Sequence, residues 1–569
     1  MISVYTIAAV WLAILVGYKV VTALREAYFT PLSKVPGPWH ARWTSLRLKY
    51  AIITGTRTDY IHSLHAEYGP FVRINPDEVA VADLKATKEI HKIGAGFTKA
   101  DRQYLNMRTG APDGPLGLFN MVGKSHAARR KLFSRGFAQN QLREQWEPVV
   151  FERVQLAMRR MKEDSAANGK TDILKWLLLM ATDVSANVMF GDSFHMLEAG
   201  EKSDYVRAIE HSVLAAALMT EVYPIWKVCR YVPLQSFKDI FHTNQILLEQ
   251  GRQAMMKVKA TPHASNIFDQ IAAQAEKEDE KLTEIDAISE AGNLILAGTD
   301  TTANTSTYMI WAILKNAKAR EALEKELDSV EGPLTDAKLE QLPILGACID
   351  ETLRLYGAAP ASEPRVVPKG GATLGEYFFP EGTVLSTQAW TMHRQPELFS
   401  EPYKFDIFRW LDGRVTPVAK QAMAPFGHGA TVCVGMHLAK MELRLTAALF
   451  FTELNVTCKP HPGVKYSSND GIGLAANLFI INKCTLSTMS ETDKQPSGKG
   501  PDQAFTDFYL QQATKEFGDD LAKLQKAPDF KDGSLEVLVE ALKQGQSSFD
   551  AADRARIGQD VLERISRGE

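Results

Sequence analysis

The segment Phe426-Gly-His-Gly429-Ala-Thr-Val-Cys433-Val-Gly435 most narrows what this chain can become. It sets a cysteine at the end of a glycine-rich loop and at the start of a strongly helical stretch, MHLAKMELRLTAALFF. A helix N-terminus offers free N–H groups and the positive end of the helix dipole, and both stabilise a thiolate. The glycines let backbone lie close to a flat ligand. Most intracellular cysteines are packing residues, so the loop taken alone leaves iron ligation and simple burial both open.

The chain around this loop is large. With 569 residues, 45% hydrophobic and 23% charged, it can form one large globular domain with smaller appendages. Its net charge of −3 is spread over 65 basic and 68 acidic side chains, which gives no global attraction to nucleic acid, and none is expected as a partner of the main domain. The five cysteines (Cys229, Cys348, Cys433, Cys458 and Cys484) are too few and too scattered for a disulfide framework, and none forms a CxxC pair. That pattern fits a reducing, cytosol-facing environment.

From Ile2 to Tyr18 there is no charge, and the run VYTIAAVWLAILVGY is long enough to cross much of a hydrocarbon core. The basic residues come after the apolar run, whereas a signal peptide would begin with them. Residues 1–24 therefore read as a retained transmembrane anchor rather than a buried first helix. Lys19, Arg25 and Lys34 would keep the following domain in the cytosol. Lys34-Val-Pro-Gly-Pro-Trp39 cannot continue a helix, so residues 25–38 read as a stiff, proline-rich hinge.

From 39 to 486 the pattern is mostly helical, with short β-like runs at 70–83 and 477–486, which predicts a mainly α (α+β) fold. Apolar residues at three- and four-residue spacing predict helices over 144–163, 171–190, 283–316, 318–330, 340–356 and 434–453. Residues 487–503 are polar and hold two prolines and two glycines, the composition of a linker. Residues 504–569 return to helical spacing, with Ser534 and Asp550 as N-caps, and read as a small appended helical module.

Three signatures stand in order: AGTDTT at 297–302, ExxR at 351–354 and FxxGxxxCxG at 426–435, joined by FRW at 408–410. On these residues the chain resembles the cytochrome P450 family from the anchor to about residue 486. The resemblance implies that fold, haem b as cofactor, and Cys433 as the proximal ligand next to Gly435. A thiolate ligand pushes electron density onto iron and favours O–O cleavage. It implies further that Asp300 and Thr301 deliver protons so that one oxygen atom leaves as water, and that Gly298 leaves room for dioxygen. A threonine in mid-helix can instead bond back to the preceding turn. Glu351, Arg354 and Arg409 resemble the family's buried structural triad.

The same resemblance makes His126 and Arg130, in HAARRKLF, and Arg365, in SEPRVVP, contacts of the haem propionates, with histidine at a position where the family has tryptophan. Arg129 is left as a solvated residue of a basic helix. Thr431 departs from the family's basic residue two before the cysteine, and His428 is the neighbouring candidate to compensate. No GxGxxG comes after Cys433, so electrons are expected from NADPH through a separate, membrane-bound cytochrome P450 reductase.

The expected function is that of a monooxygenase that inserts one atom of O2 into a hydrophobic small molecule. Selectivity is expected in segments 101–122, 205–235, 292–298, 358–365 and 469–474. The overall style resembles filamentous-fungal enzymes that tailor polyketide or terpenoid metabolites. The expected location is the endoplasmic reticulum membrane, single-pass, with a cytosolic catalytic domain. Some relatives isomerise or dehydrate without dioxygen; the acid–alcohol pair favours oxygen activation. The tail at 507–545 resembles a small fungal ribosome-assembly factor. It is either a genuine fusion carrying an interaction module or the product of two neighbouring genes joined in the coding sequence, and the second is expected, because a nuclear assembly factor gains nothing obvious from a membrane anchor.

Overall fold

A reciprocal cap starts the longest helix: the Asp286 N–H donates to Thr283 Oγ1 (3.1 Å), while the Asp286 carboxylate accepts the Thr283 N–H (3.1 Å). In the computed structural model, which describes residues 4–104, 116–201, 249, 252–253, 256, 266–277, 283–454, 456–458, 485–488 and 556, this central helix runs from Glu284 to Lys315. The chain divides into two compact units, Met1–Thr488 and Met489–Glu569. Of the second only residue 556 is described, so the expected tail helices and their caps Ser534 and Asp550 lie outside the described residues.

The central helix packs on helix Ile173–Phe190, whose side chains are buried on nearly every side. By length and composition this second helix could cross a membrane, but 83% of it is buried inside the fold, and it is the core helix of the first unit. A Cβ on Gly298 would sit 2.4 Å from Ser185 Oγ. The missing side chain at 298 therefore lets the two core helices approach each other. This corrects the expectation that Gly298 makes room for dioxygen.

Helices Glu147–Asn168, Pro343–Tyr356 and Met436–Glu453 complete the layer around this pair. The helix expected over 144–163 is two, Gln139–Gln145 and Glu147–Asn168, with Trp146 between them. Pro148 explains the break, because proline fits the first turn of a new helix, where its missing N–H has no partner to lose.

The main sheet joins β1 (Phe71–Arg73), β2 (Glu78–Val81), β3 (Thr98–Lys99), β5 (Ser362–Val366) and β8 (Val384–Gln388) in the order β1-β2-β8-β5-β3. Within it the β2–β8 pairing is parallel and the others are antiparallel. In a smaller sheet β10 (Thr485–Thr488) lies between β4 (Thr171–Asp172) and β9 (Val456–Cys458). Strands β6 (Ala372–Leu374) and β7 (Tyr377–Phe379) form a separate antiparallel pair. Residues 477–484 of the strand expected at 477–486 lie outside the described residues.

The N-terminal helix spans Val4–Tyr28, past the expected boundary at 24, and stops ahead of the 3-10 turn Pro31–Lys34. Val10, Trp11, Ile14, Leu15, Val16, Val20 and Val21 on it are exposed. The proline segment after it is docked on the sheet: the Arg73 N–H donates to Pro36 O (2.7 Å), and a Cβ on Gly37 would strike the Arg73 carbonyl.

Candidate functional site

The Cys433 N–H donates to Phe426 O (2.8 Å), which closes the loop just before helix Met436–Glu453 begins at its N-cap Gly435. Gly427 and Gly429 both have positive φ, and a Cβ on Gly429 would lie 2.1 Å from the His91 carbonyl. Only glycine allows that approach. Cys433 is solvent-accessible, yet protein surrounds it closely enough that burial raises its thiol pKa, while the Gly435 N–H and Arg130 pull it down. Arg130 is in turn lowered by burial and raised by the nearby cysteine.

Register in the sheet then creates an electrostatic problem. Lys99 on β3 lies directly opposite Arg365 on β5, and both side chains are buried. Like charges facing each other across a ladder are destabilising. Burial, with Arg365 and Arg130 nearby, lowers Lys99 to about 8. His126 is buried beside the same cations; burial, then Lys99, Arg130 and Arg365, lower it to about 4. In the haem-free chain the ring is thus held neutral by its burial and by these cations.

Arg365 donates to Tyr104 Oη (2.9 Å), Thr431 Oγ1 (2.8 Å) and Glu363 (3.2 Å). Thr431, the departure two residues before the cysteine, thus supports the guanidinium from the loop instead of contributing a charge. Burial, with Arg365 nearby, lowers His428 to about 4. Sequence reasoning misses Lys99, because a single lysine in FTKAD carries no spacing signal; only pairing with Arg365 marks it. A thiolate donor beside Lys99, Arg130 and Arg365, cations that repel one another, fits the iron and the two carboxylates of a haem.

On the central helix Asp300 is buried and Thr301 partly buried. The Thr301 hydroxyl donates to Ala297 O (2.6 Å), the Thr305 hydroxyl to Thr301 O (2.7 Å) and the Asn304 amide to Asp300 O (2.9 Å). The back-bond to the preceding turn, which the sequence leaves open, is formed here. Arg129 is not solvated: it pairs with Glu290 (3.1 Å) and Asp286 (3.6 Å) of the central helix. Glu290 also accepts the Leu118 N–H (2.8 Å), and burial raises its carboxyl to about 7.

Glu351, Arg354 and Arg409 meet in the interior. Arg354 is bidentate to Glu351 (2.8 and 2.8 Å), and Arg409 Nε reaches the same carboxylate (3.1 Å). Trp410 Nε1 (2.9 Å) and the Asp406 N–H (2.9 Å) fill its remaining lone pairs. The guanidinium of Arg354 also donates to the carbonyls of His393, Pro402 and Lys404. His393 Nδ1 meets Arg354 O (3.2 Å), and its Nε2 accepts the Ala424 N–H (3.0 Å), two residues ahead of the cysteine loop. Of the residues expected to select substrate, 105–115, 205–235 and 469–474 lie outside the described residues.

The profile of the cytochrome P450 family matches residues 34–482, and that of ribosome-assembly protein 3 matches residues 505–550. Among relatives, the chain is 40% identical over 448 residues to the cytochrome P450 monooxygenase stcB of Emericella nidulans, covering 77% of this chain and 84% of that protein. It is 40% identical over 454 residues to the cytochrome P450 monooxygenase cypX of Dothistroma septosporum, covering 78% and 88%. A more distant relative, the methylphloroacetophenone oxidase of Cladonia uncialis, is 30% identical over 393 residues, covering 67% and 86%. With a profile spanning most of its length and relatives matched over most of theirs, the chain belongs to the cytochrome P450 family of haem-thiolate monooxygenases, oxidoreductases that draw electrons from a redox partner such as an NADPH-dependent reductase.

Proposed function

We propose that this enzyme oxygenates a hydrophobic fungal secondary metabolite, of the polyketide or terpenoid class, with Cys433 as iron ligand. The observation that carries the reading is Cys433 at the loop–helix junction beside the partly buried Arg130, with the buried cations Lys99 and Arg365 close to that arginine. When bound, the haem supplies activation of dioxygen and transfer of one oxygen atom. Gly435 N–H and Arg130 hold the negative charge on Cys433 Sγ. Lys99, Arg130 and Arg365 bind the propionates, and His126 adds an N–H.

Asp300 and Thr301 hold and pass protons on the opposite side. The Thr301 hydroxyl hydrogen is directed at Ala297 O, which leaves the oxygen's lone pairs to accept from an incoming donor. Glu351, Arg354 and Arg409 position the segment that leads into the cysteine loop. The relative named as a methylphloroacetophenone oxidase favours a phenolic polyketide over a terpenoid.

An anchored state is part of the proposal. Helix Val4–Tyr28 has 25 residues and exposed apolar side chains. At about 1.5 Å per residue it exceeds the roughly 30 Å of a bilayer core. Lys19 and Arg25 come after the apolar run, as expected for a single pass into the endoplasmic reticulum membrane with the catalytic domain cytosolic. The segment matching ribosome-assembly protein 3 we assign to a joined neighbouring gene; a single transcript spanning codons 480 to 520 would overturn that assignment.

The test is turnover of phenolic polyketides by the reconstituted enzyme, reductase and NADPH under 18O2. Incorporation of one labelled atom supports the proposal. Conversion without label would place the enzyme among non-oxygenase relatives that isomerise or dehydrate. Thr301→Ala and Asp300→Asn are expected to keep consuming NADPH while product falls and peroxide accumulates.

A further inference from the structure

We propose that His91, Glu363 and His428 form a binding site for a divalent transition-metal ion, distinct from the haem iron, with zinc as its best-fitting occupant. The three residues come from different elements: the last turn of helix Leu84–His91, strand β5 and the cysteine loop. His91 Nδ1 lies 3.8 Å from Glu363 Oε2, and His428 Nδ1 lies 3.9 Å from Glu363 Oε1. All ligand atoms of the cluster fall within 4.8 Å of one another. Such separations are too long for hydrogen bonds. Around a tetrahedral zinc with metal–ligand distances of about 2.0–2.2 Å the ligand atoms lie roughly 3.4 Å apart, so the three side chains would draw in by about 0.5–1.4 Å on binding.

The donors are prepared for an ion in three ways. First, His428 Nδ1 is buried and has no hydrogen-bond partner among the described residues. Second, His91 Nε2 engages Thr387 Oγ1 (2.8 Å), so the outer nitrogen is fixed and the inner one is turned toward the carboxylate. A hydrogen bond on the second nitrogen is the usual device for orienting a metal-binding histidine. Third, the side chain of His91 is buried and that of His428 largely so, which keeps most water away from the nitrogens. The rings stack with centroids 4.6 Å apart and planes inclined by 23°.

Glycines make the approach feasible. A Cβ on Gly427 would press to 3.1 Å from Glu363 Oε1, and one on Gly429 would strike the His91 carbonyl. Arg365 competes for the carboxylate through Oε2 at 3.2 Å, which leaves Oε1 for the ion and makes the site weaker than a dedicated zinc centre. Two imidazoles and a carboxylate favour zinc over calcium or magnesium, which take oxygen ligands.

The test is calorimetric titration of zinc into the haem-loaded full chain after chelator treatment. One equivalent should bind to wild type. Thr387→Val, which frees the outer nitrogen of His91, should bind about tenfold more weakly, and His428→Ala should lose the site. Zinc-edge anomalous scattering from zinc-soaked wild-type crystals should place a peak among the three side chains, a readout independent of how the variants fold. Absence of binding to wild type, wild-type affinity in His428→Ala, or a peak elsewhere would each overturn the proposal.

Discussion

Replacing Glu351 by glutamine would remove one negative charge from a place where none of the carboxylate is exposed and two guanidiniums converge on it. In the native chain that carboxylate accepts two hydrogen bonds from Arg354 and one each from Arg409, Trp410 and the Asp406 N–H. Glutamine keeps the shape, but its amide group can accept on only one side. Arg354 and Arg409 would remain buried by their carbonyl contacts without a counter-charge. Removing one partner of a buried pair costs about 3–5 kcal/mol, a large share of the roughly 5–15 kcal/mol that holds a typical domain together. At roughly 2 °C for each kcal/mol in a large domain, the melting temperature should fall by about 6–10 °C.

Haem content should fall with it, because Arg354 and Arg409 hold the carbonyls of 393–404 that lead toward the cysteine loop. The assay is thermal melting by circular dichroism together with haem per chain. A Glu351→Gln protein with full haem content and a melting temperature within a degree of wild type would refute the claim that this charge organises the loop.

Cys433→Ser should abolish the oxygenase reaction and the red-shifted carbon monoxide difference band of thiolate-bound haem, even in folded protein. Gly298→Ala should cost about 1–3 kcal/mol through its clash with Ser185 Oγ, and adding Ser185→Ala should restore most of it; failure of that rescue in denaturant titrations would show that the close approach is not limiting. Glu290, raised to about 7 from an ordinary 4.5, is protonated more in the folded than in the unfolded chain, so stability should fall as pH rises from about 4.5 through 7. Melting temperatures of Glu290→Gln should lack that component. Lys99, lowered to about 8, has the opposite slope: the haem-free protein should gain stability between about pH 8 and 10.5, and Lys99→Met should not.

How much of the fold and site is legible in the sequence depends on whether a residue's meaning is local. The helix N-terminal position of Cys433 and the apolar period of the central helix are properties of short segments, and both are found where the sequence places them. So is the pairing of Glu351 with Arg354, three residues apart on one helix face. Lys99 means little until β3 sets it against Arg365, some 270 residues later in the chain. Gly298 invites misreading because the same absence of a side chain serves a ligand or a neighbouring helix, and only the position of Ser185 decides. Arg129 reads as solvated for want of a visible partner, which lies at Glu290 on another helix. Pairings between distant segments carry no periodicity, and the departures from expectation gather there.

The facing cations Lys99 and Arg365 also bear on how the protein comes to exist in a cell. Strand β3 is two residues long and lies at the sheet's edge, held by its pairing with β5 and by the Lys99 ammonium, which donates to Phe119 O (2.7 Å). A dianionic ligand that settles between these charges turns a repulsive rung into a bridged one, and whatever binds only the folded chain shifts folding toward itself. The cofactor would then act as the last piece of the sheet. Cells short of haem should accumulate less folded polypeptide, not a full complement of inactive enzyme, and the unclosed edge would be the first surface available to pair with another chain.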